Sequence, residues 1–211
     1  MAHTQASERV RAKRRKDARP SEILQAAMAE FAAHGFADTS LGAIAARAGI
    51  ARATIYLYFD SKDALFDALV RERLTASLEE MGASLESYSG STESLLAALL
   101  KRLHDDTGEA EMVALLRILV TEGRRFPALV RLHHDRITNV GLKLLQRIAE
   151  RGVARGEFAA DILDMDLRVL IAPAMMGLFW NMVFAPVAPI DREALFRSHL
   201  RILMDGLRER G

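Results

Sequence analysis

The sequence contains no cysteine among its 211 residues. Disulfide bonds, thiolate zinc sites, iron–sulfur clusters, thiol nucleophiles and thiol-based redox sensing are therefore excluded. The H-E-x-x-H zinc motif, a glycine-rich phosphate loop and the G-x-S-x-G nucleophile turn are also missing from the sequence. We therefore expect neither a catalytic residue nor a cofactor, and a helical enzyme is a less favoured alternative.

Stretches of alternating β-branched residues are also missing, and alanine, leucine, arginine and glutamate dominate. Hydrophobic residues make up 50% of the chain, which is typical of a globular protein. The N-terminus opens with charge and has no apolar signal-peptide core. These features predict an all-α protein that works in the cytoplasm.

Prolines, glycines and capping residues divide the chain into helices. Ser21 caps the first helix and Gly35 ends it, while residues 89–92 are the clearest linker. We expect a flexible basic arm at 1–16, a DNA-binding domain at 17–77 and a larger helical domain at 78–211. Helices are predicted at 21–35, 40–48, 52–58, 62–87, 92–106, 109–123, 127–155, 163–185 and 191–209.

The net charge of +1 conceals a basic N-terminal region. Residues 1–62 carry ten lysines and arginines against six acidic residues. Seven of these basic residues lie between positions 9 and 19, among them Arg14, Arg15 and Lys16. Such a block suits an arm that contacts DNA, and it suits a solvated tail equally well.

Residues 41–60, LGAIAARAGIARATIYLYFD, fit two short helices joined by a tight turn. Ala45 is small where the helices would touch, and Gly49 allows a positive φ in the turn. The apolar seam between the helices is supplied by Ile44, Ile50 and Ile55. This pattern predicts a helix-turn-helix at 40–59.

The outward face of the second short helix mixes hydrogen-bond donors with small and apolar groups, which suits the major groove of DNA. Thr39, Ser40 and Lys62 lie at helix N-termini and are candidate phosphate contacts. The alternative is that the hydroxyls only cap helices and that Tyr58 packs in the core. The other predicted DNA contacts are Arg52, Ala53, Thr54, Tyr56, Leu57 and Tyr58.

Residues 17–77 resemble the DNA-binding domain of the TetR family of bacterial regulators, above all through ILQAAMAEFAAHGFADTSLGAIAARAGIARATIYLYFDSKDALF. The segment TEGRRFP at 121–127 is similar to the AcrR-like branch of that family. The resemblance implies an all-helical dimer, with nine or so helices, that represses transcription until a small molecule enters the C-terminal domain. One departure is Ala51, where the family commonly has a capping serine or threonine.

The larger domain carries two predicted sets of apolar residues, and plain core is the alternative for both. The family's usual dimer surface is its last two helices, and a two-fold dimer predicts a palindromic operator. The predicted interface residues are Leu167, Leu170, Leu178, Leu195, Leu200, Leu203 and Leu207. The predicted effector pocket contains Met112, Leu116, Phe126, His133, Met175, Met176, Phe179, Trp180 and Asn181.

From Val169 to Ala188, Asn181 is the only strongly polar side chain. A run of this length could cross a bilayer, but Pro173 and Pro186 interrupt it and no basic cluster anchors it. We favour a helix buried between a domain core and a partner subunit, and expect no membrane contact.

The pair His133-His134 does not predict a metal site, because adjacent residues on a helix point about 100° apart. Glu122, beside Arg124 and Arg125, is interpreted as an ordinary charged helix end. The partners expected are an operator in double-stranded DNA, a second copy of the chain and an unidentified small-molecule effector. A non-specific architectural DNA-binding protein is the alternative, and the near-neutral net charge argues against it.

Overall fold

A computed structural model describes residues 2–207, apart from the side chains of 2–18, 73, 74, 76 and 77. Within that range the chain is helical and contains no strand, which confirms the predicted all-α class. The helices are α1 (Ala2–Asp38), α2 (Leu41–Arg47), α3 (Arg52–Ile55), α4 (Lys62–Val70), α5 (Ala76–Ser84), α6 (Thr92–Asp106), α7 (Ala110–Glu122), α8 (Pro127–His133), α9 (Asn139–Ala154), α10 (Ala172–Phe184) and α11 (Arg192–Leu207).

Two turns of π-helix join neighbouring helices into longer units. Arg71–Thr75 links α4 to α5, and His134–Thr138 links α8 to α9. The two π turns lie against each other. With these joins the layout agrees with the nine or so helices that the resemblance implies.

The first helix extends further than the sequence predicted at both ends. Its backbone is helical from Ala2, where we expected an arm, because alanine, arginine, lysine and glutamate are strong helix formers. It also continues past Gly35 to Asp38, with a break at Gly35, where φ is 78° and ψ is 177°. The side chains of Arg14, Arg15 and Lys16 lie outside the described residues.

The first of two cores joins α1–α4 to α7 and α8. Ile23, Ala27 and Phe31 are fully buried at four-residue spacing, as predicted for the inner face of α1. Phe31 and Phe36 stack with ring centroids 5.4 Å apart, and Phe66 meets both rings edge-on. Leu115 and Ile118 of α7 belong to the same core, so the N-terminal helices are packed onto the larger domain.

The second core lies among α5, α6, α9 and α11 and two short 3₁₀ segments, Ala160–Asp164 and Leu167–Ile171. It corrects part of the predicted dimer interface: Leu167, Leu170, Leu178 and Leu207 are buried in the monomer itself. Leu195, Leu200 and Leu203 are half-buried. The prediction erred because a segment that is apolar on all sides does not reveal which side faces outward.

The segment Leu167–Phe184 is long and apolar enough to cross a membrane by length and composition, and 28% of it is buried within the chain. Its helix α10 packs beside α11, and both helices expose apolar side chains. Large apolar residues exposed along this surface are Val169, Met176, Phe179, Val183, Phe184 and Ile202. We call this surface the α10–α11 face.

Candidate nucleic-acid interface

The helix-turn-helix forms where the sequence predicted it. Ser40 begins α2, and its Oγ accepts a hydrogen bond of 3.1 Å from the backbone N–H of Ala43. The turn follows at Gly49, where φ is 65°, a value that side chains with a Cβ rarely adopt. Ile44, Ala45 and Ile55 are buried between the helices, so the predicted seam is confirmed apart from Ile50, which is half-buried.

The outward face of α3 is open to solvent. Arg52 and Ala53 are exposed, and so are Tyr56 and Leu57, at 47% and 78% of their surface. The guanidinium Nη2 of Arg52 donates to the Tyr56 hydroxyl at 3.3 Å, and its Cζ lies 6.0 Å from the centroid of the Tyr56 ring. This face therefore presents an apolar leucine together with the hydrogen-bond donors of an arginine and a tyrosine. The edges of base pairs in the major groove offer acceptors for such donors and a thymine methyl group for an apolar contact.

The remaining predicted contacts near α3 are less accessible. Thr54 is half-buried, and Tyr58 packs against the first core, in agreement with the alternative of core packing. Ala51 precedes the helix and makes no side-chain capping bond, so α3 begins without the cap that a serine or threonine would supply.

Lys62 and Thr39 are placed differently from the prediction of phosphate contacts. The ammonium Nζ of Lys62 donates to the carbonyl oxygens of Phe36 at 2.5 Å, Thr39 at 2.8 Å and Ala37 at 3.2 Å. An ammonium has three donors, and all three are used here. Thr39 is buried, and its hydroxyl donates to the carbonyl of Gly35 at 2.7 Å. These two residues hold the end of α1, while the exposed Ser40 keeps a hydroxyl at the surface.

Burial and a neighbouring carboxylate act on the pKa of Lys62 in opposite directions. Burial lowers the pKa of Lys62 below its usual 10.5, and the carboxylate of Glu122 acts in the opposite direction. The ammonium also lies 4.4 Å from the ring centroid of Phe36. Its carbonyl partners and its ring contact come from the last turn of α1 and from Thr39 just after it, so Lys62 fastens α4 to the end of α1.

Glu122 joins the larger domain to the end of α1, a contact that the sequence did not predict. It ends α7, and its two carboxylate oxygens accept from the backbone N–H groups of Phe36 at 2.8 Å and Ala37 at 2.6 Å. The donating N–H groups lie 86 and 85 positions away in the chain, and no local pattern records such a contact. The interpretation of Glu122 as an ordinary helix end is therefore wrong.

A second missed contact orients α2. Arg47 donates to the buried carboxylate of Glu30 at 2.6 Å and so ties α2 to the middle of α1. A charge-assisted bond to a buried carboxylate is stronger than a surface ion pair. In the sequence this ion pair is indicated only by a basic residue at the end of α2, Arg47, and by an acidic residue on the apolar side of α1, Glu30.

The predicted effector pocket does not hold together as one cluster. Met176 and Phe179 are about half exposed, at 49% and 48%, and lie on the α10–α11 face instead. Phe126 belongs to the first core, with its ring 5.1 Å from that of Phe36. Trp180 donates its indole N–H to the carbonyl of Ala188 at 2.7 Å. The residues that stay half-buried in the larger domain are Met112, Leu116, His133, Met175 and Asn181.

Three histidines of the larger domain are held neutral. Burial lowers the pKa of His133 to about 4, and the neighbouring His134 adds to the shift. His104 and His199 lie 2.9 Å apart between α6 and α11, and burial lowers the pKa of both. No group of three or more residues suited to a metal ion occurs among the described side chains.

Comparison with known proteins agrees with this geometry. A family model described as bacterial regulatory proteins, tetR family, matches residues 23–69, and one described as tetracyclin repressor-like, C-terminal domain, matches residues 88–198. The fatty acid metabolism regulator protein of Bacillus subtilis is 26% identical over 197 residues, which cover 91% of this chain and 98% of that protein. The transcriptional repressor KstR2 of Rhodococcus jostii is also 26% identical, over 91% of this chain and 92% of its own.

Solved structures share the fold at lower identity. The regulator FadR from Bacillus subtilis, in complex with stearoyl-CoA, superposes with a TM-score of 0.66 at 21% identity over 89% of this chain and 99% of that one. A transcriptional regulator from Saccharomonospora viridis, in complex with choline, gives 0.73 at 18% identity over 92% and 100%. The C-terminal family model alone spans more than half of this chain. The chain therefore belongs to the TetR family and is a DNA-binding transcriptional regulator.

Proposed function

We propose that this regulator is a homodimeric repressor that binds a palindromic operator and releases it when a small molecule enters the larger domain. The observation that carries the proposal is the open face of α3, where Arg52, Tyr56 and Leu57 are exposed to solvent. Base contacts from such a helix give sequence preference, and the exposed cap at Ser40 adds a backbone contact. A repressor of this kind acts in the cytoplasm, with no role for a membrane.

The α10–α11 face supports the homodimer. Its apolar side chains are far more exposed than a core tolerates, with Val169 at 58% and Ile202 at 69%. Several large apolar side chains exposed on neighbouring helices favour a protein interface, and a two-fold axis through it would present two α3 helices to DNA. Half-sites about one helical turn apart, related by that axis, make a palindrome.

The half-buried residues of α7 and α10 support an apolar effector. Met112 and Leu116 lie on α7, which packs against α10 with its Met175 and Asn181. Apolar walls with one or two polar groups suit a ligand with a hydrocarbon portion. The relative from Bacillus subtilis that acts in fatty acid metabolism makes a long-chain acyl thioester the first compound to test.

The proposal is tested by affinity selection of fragmented genomic DNA with purified protein, repeated at several salt concentrations. Enrichment of one palindromic site is the expected result. Recovery of all fragments alike, with a steep dependence on salt, would mean a non-specific binder and would overturn the proposal.

The effector class is tested by thermal unfolding with stearoyl-CoA and with choline, the two ligands present in the related structures. We expect stearoyl-CoA at 100 times its dissociation constant to stabilise the fold by about 2.7 kcal/mol and choline to leave it unchanged. Stabilisation by choline alone would contradict an apolar effector.

A further inference from the structure

The last turn of α1 is held from two sides, and each side belongs to a different part of the molecule. From the DNA-binding part, Lys62 of α4 binds the carbonyl oxygens of residues 36, 37 and 39. From the larger domain, Glu122 of α7 binds the N–H groups of residues 36 and 37. Every polar backbone group that the break at Gly35 exposes at residues 36 and 37 therefore has a charged partner.

The break at Gly35 is what makes this arrangement possible. Its ψ of 177° turns the N–H groups of Phe36 and Ala37 out of the hydrogen-bond pattern of α1 and toward α7. A Cβ built at Gly35 would lie 2.6 Å from Oε1 of Glu122, and its φ of 78° strains any residue with a side chain. Glycine at this position leaves the space that the carboxylate occupies.

The turn held in this way leads directly into the helix-turn-helix. Asp38 ends α1, the buried Thr39 bonds back to Gly35, and Ser40 caps α2. Two residues separate the turn from α2, which leaves little freedom between them. The carboxylate of Glu122 therefore links the end of α7 to α2 and α3, in addition to the packing of Leu115 and Ile118 in the first core.

We propose that Glu122 is a positioning residue that fixes the helix-turn-helix on the larger domain and thereby sets the distance between the two α3 helices of the dimer. The inference rests on the proposed function. Arg117 assists from one turn earlier in α7, where its guanidinium donates to the carbonyl of Ala32 at 2.5 Å. An effector that moves the end of α7 acts on DNA binding through this contact.

The test measures preference for half-site spacing, which a purely structural contact does not control. The operator obtained by selection is compared with versions whose centre is one base pair longer or shorter. The parent protein should bind the original operator at least about tenfold more tightly than either version, because its α3 helices are held at one distance. In Glu122→Gln, one acceptor oxygen and the charge are lost, and this ratio should fall below about threefold while melting remains cooperative.

Glu79→Gln is the matched control, because it removes the same charge from an exposed position on α5. It should keep the parent's spacing preference. If Glu122→Gln does not fold, Glu122→Asp replaces it, since the shorter side chain keeps the charge but not the reach, and the same loss of preference is expected. A parent that selects a palindrome, paired with a folded variant whose spacing preference is unchanged, overturns this inference alone. A parent that selects no palindrome overturns the proposed function and this inference with it.

Discussion

The DNA-binding half and the larger half of this regulator differ in the hydrophobic side chains that they expose to solvent. Among the side chains described up to Val70, the large hydrophobic residues in solvent are Tyr56 and Leu57, next to each other at the end of α3. In the larger half, α10 exposes Met176, Phe179, Val183 and Phe184, and α11 exposes Ile202. A small mixed patch suits the polar edges of base pairs, and a broad apolar one suits a second protein surface. The two exposed surfaces therefore differ in chemistry, as the proposed contacts with DNA and with a second copy of the chain require.

The largest effect is expected from damage to the α10–α11 face. Ile202→Glu places a charge where a dimer would bury it, so the protein should sediment as a monomer and lose at least about a hundredfold in operator affinity. Val120→Glu is the control, because Val120 is exposed to nearly the same extent, 68% against 69%, on α7. Sedimentation and DNA titration measure both variants. A dimeric Ile202→Glu would place the interface elsewhere.

A substitution on the outward face of α3 should weaken DNA binding and leave the dimer intact. Tyr56→Ala removes an exposed ring and the hydroxyl that Arg52 contacts, and we expect about a tenfold loss of operator affinity. Tyr88→Ala is the control, since Tyr88 is an exposed tyrosine outside the helix-turn-helix. Fluorescence anisotropy with labelled operator measures the difference. Unchanged binding by Tyr56→Ala would show that α3 meets DNA in another orientation.

Acid should destabilise the fold through three buried histidines of the larger half. Burial lowers the pKa values of His104, His133 and His199 below the usual 6.5, and to about 4 for His133. As pH falls through 6.5, the unfolded chain binds protons at these histidines and the folded chain does not. The free energy of unfolding is therefore unaffected above pH 6.5 and decreases as pH falls from 6.5 toward 4.

Urea unfolding followed by the fluorescence of Trp180 measures this decrease between pH 7.5 and pH 4.5. In His133→Gln the decrease should be smaller than in the parent, because one of the three groups no longer titrates. His134→Gln, which changes an exposed neighbour, should follow the parent. If the free energy of unfolding decreased equally with pH in the parent and in His133→Gln, the lowered pKa of His133 would be contradicted.

The smallest effect is expected from supplying the cap that α3 lacks. Ala51→Ser should add a side-chain hydrogen bond to a backbone N–H group in the first turn of α3 and stabilise the fold by about 0.5–1 kcal/mol. Ala53→Ser, inside the same helix, should instead destabilise it by about 0.5 kcal/mol, because serine is a weaker helix former than alanine. Chemical denaturation at neutral pH compares the two. A destabilised Ala51→Ser would mean that the residue does not act as the N-cap.

The sequence predicted the DNA-binding half well because its signals are local. The spacing of Ile23, Ala27 and Phe31, the cap at Ser40 and the glycine turn at Gly49 each depend on a few neighbouring residues. What it did not predict depends on residues far apart in the chain. Glu122 reaches the end of α1 across 85 positions. Leu178 and Phe179 are adjacent and equally apolar, and only the packed structure separates the buried one from the exposed one.

The two π turns impose a constraint on how this sequence can change in length. Each turn, Arg71–Thr75 and His134–Thr138, is wider than an α-helical turn and takes up an extra residue. Losing that residue would rotate everything after it by about 100° relative to everything before it. In α9 the rotation would turn Leu144 and Leu145 out of the second core. An insertion or deletion at either turn therefore changes which face of the following helix points inward. The two cores pack as described only while both turns keep their length.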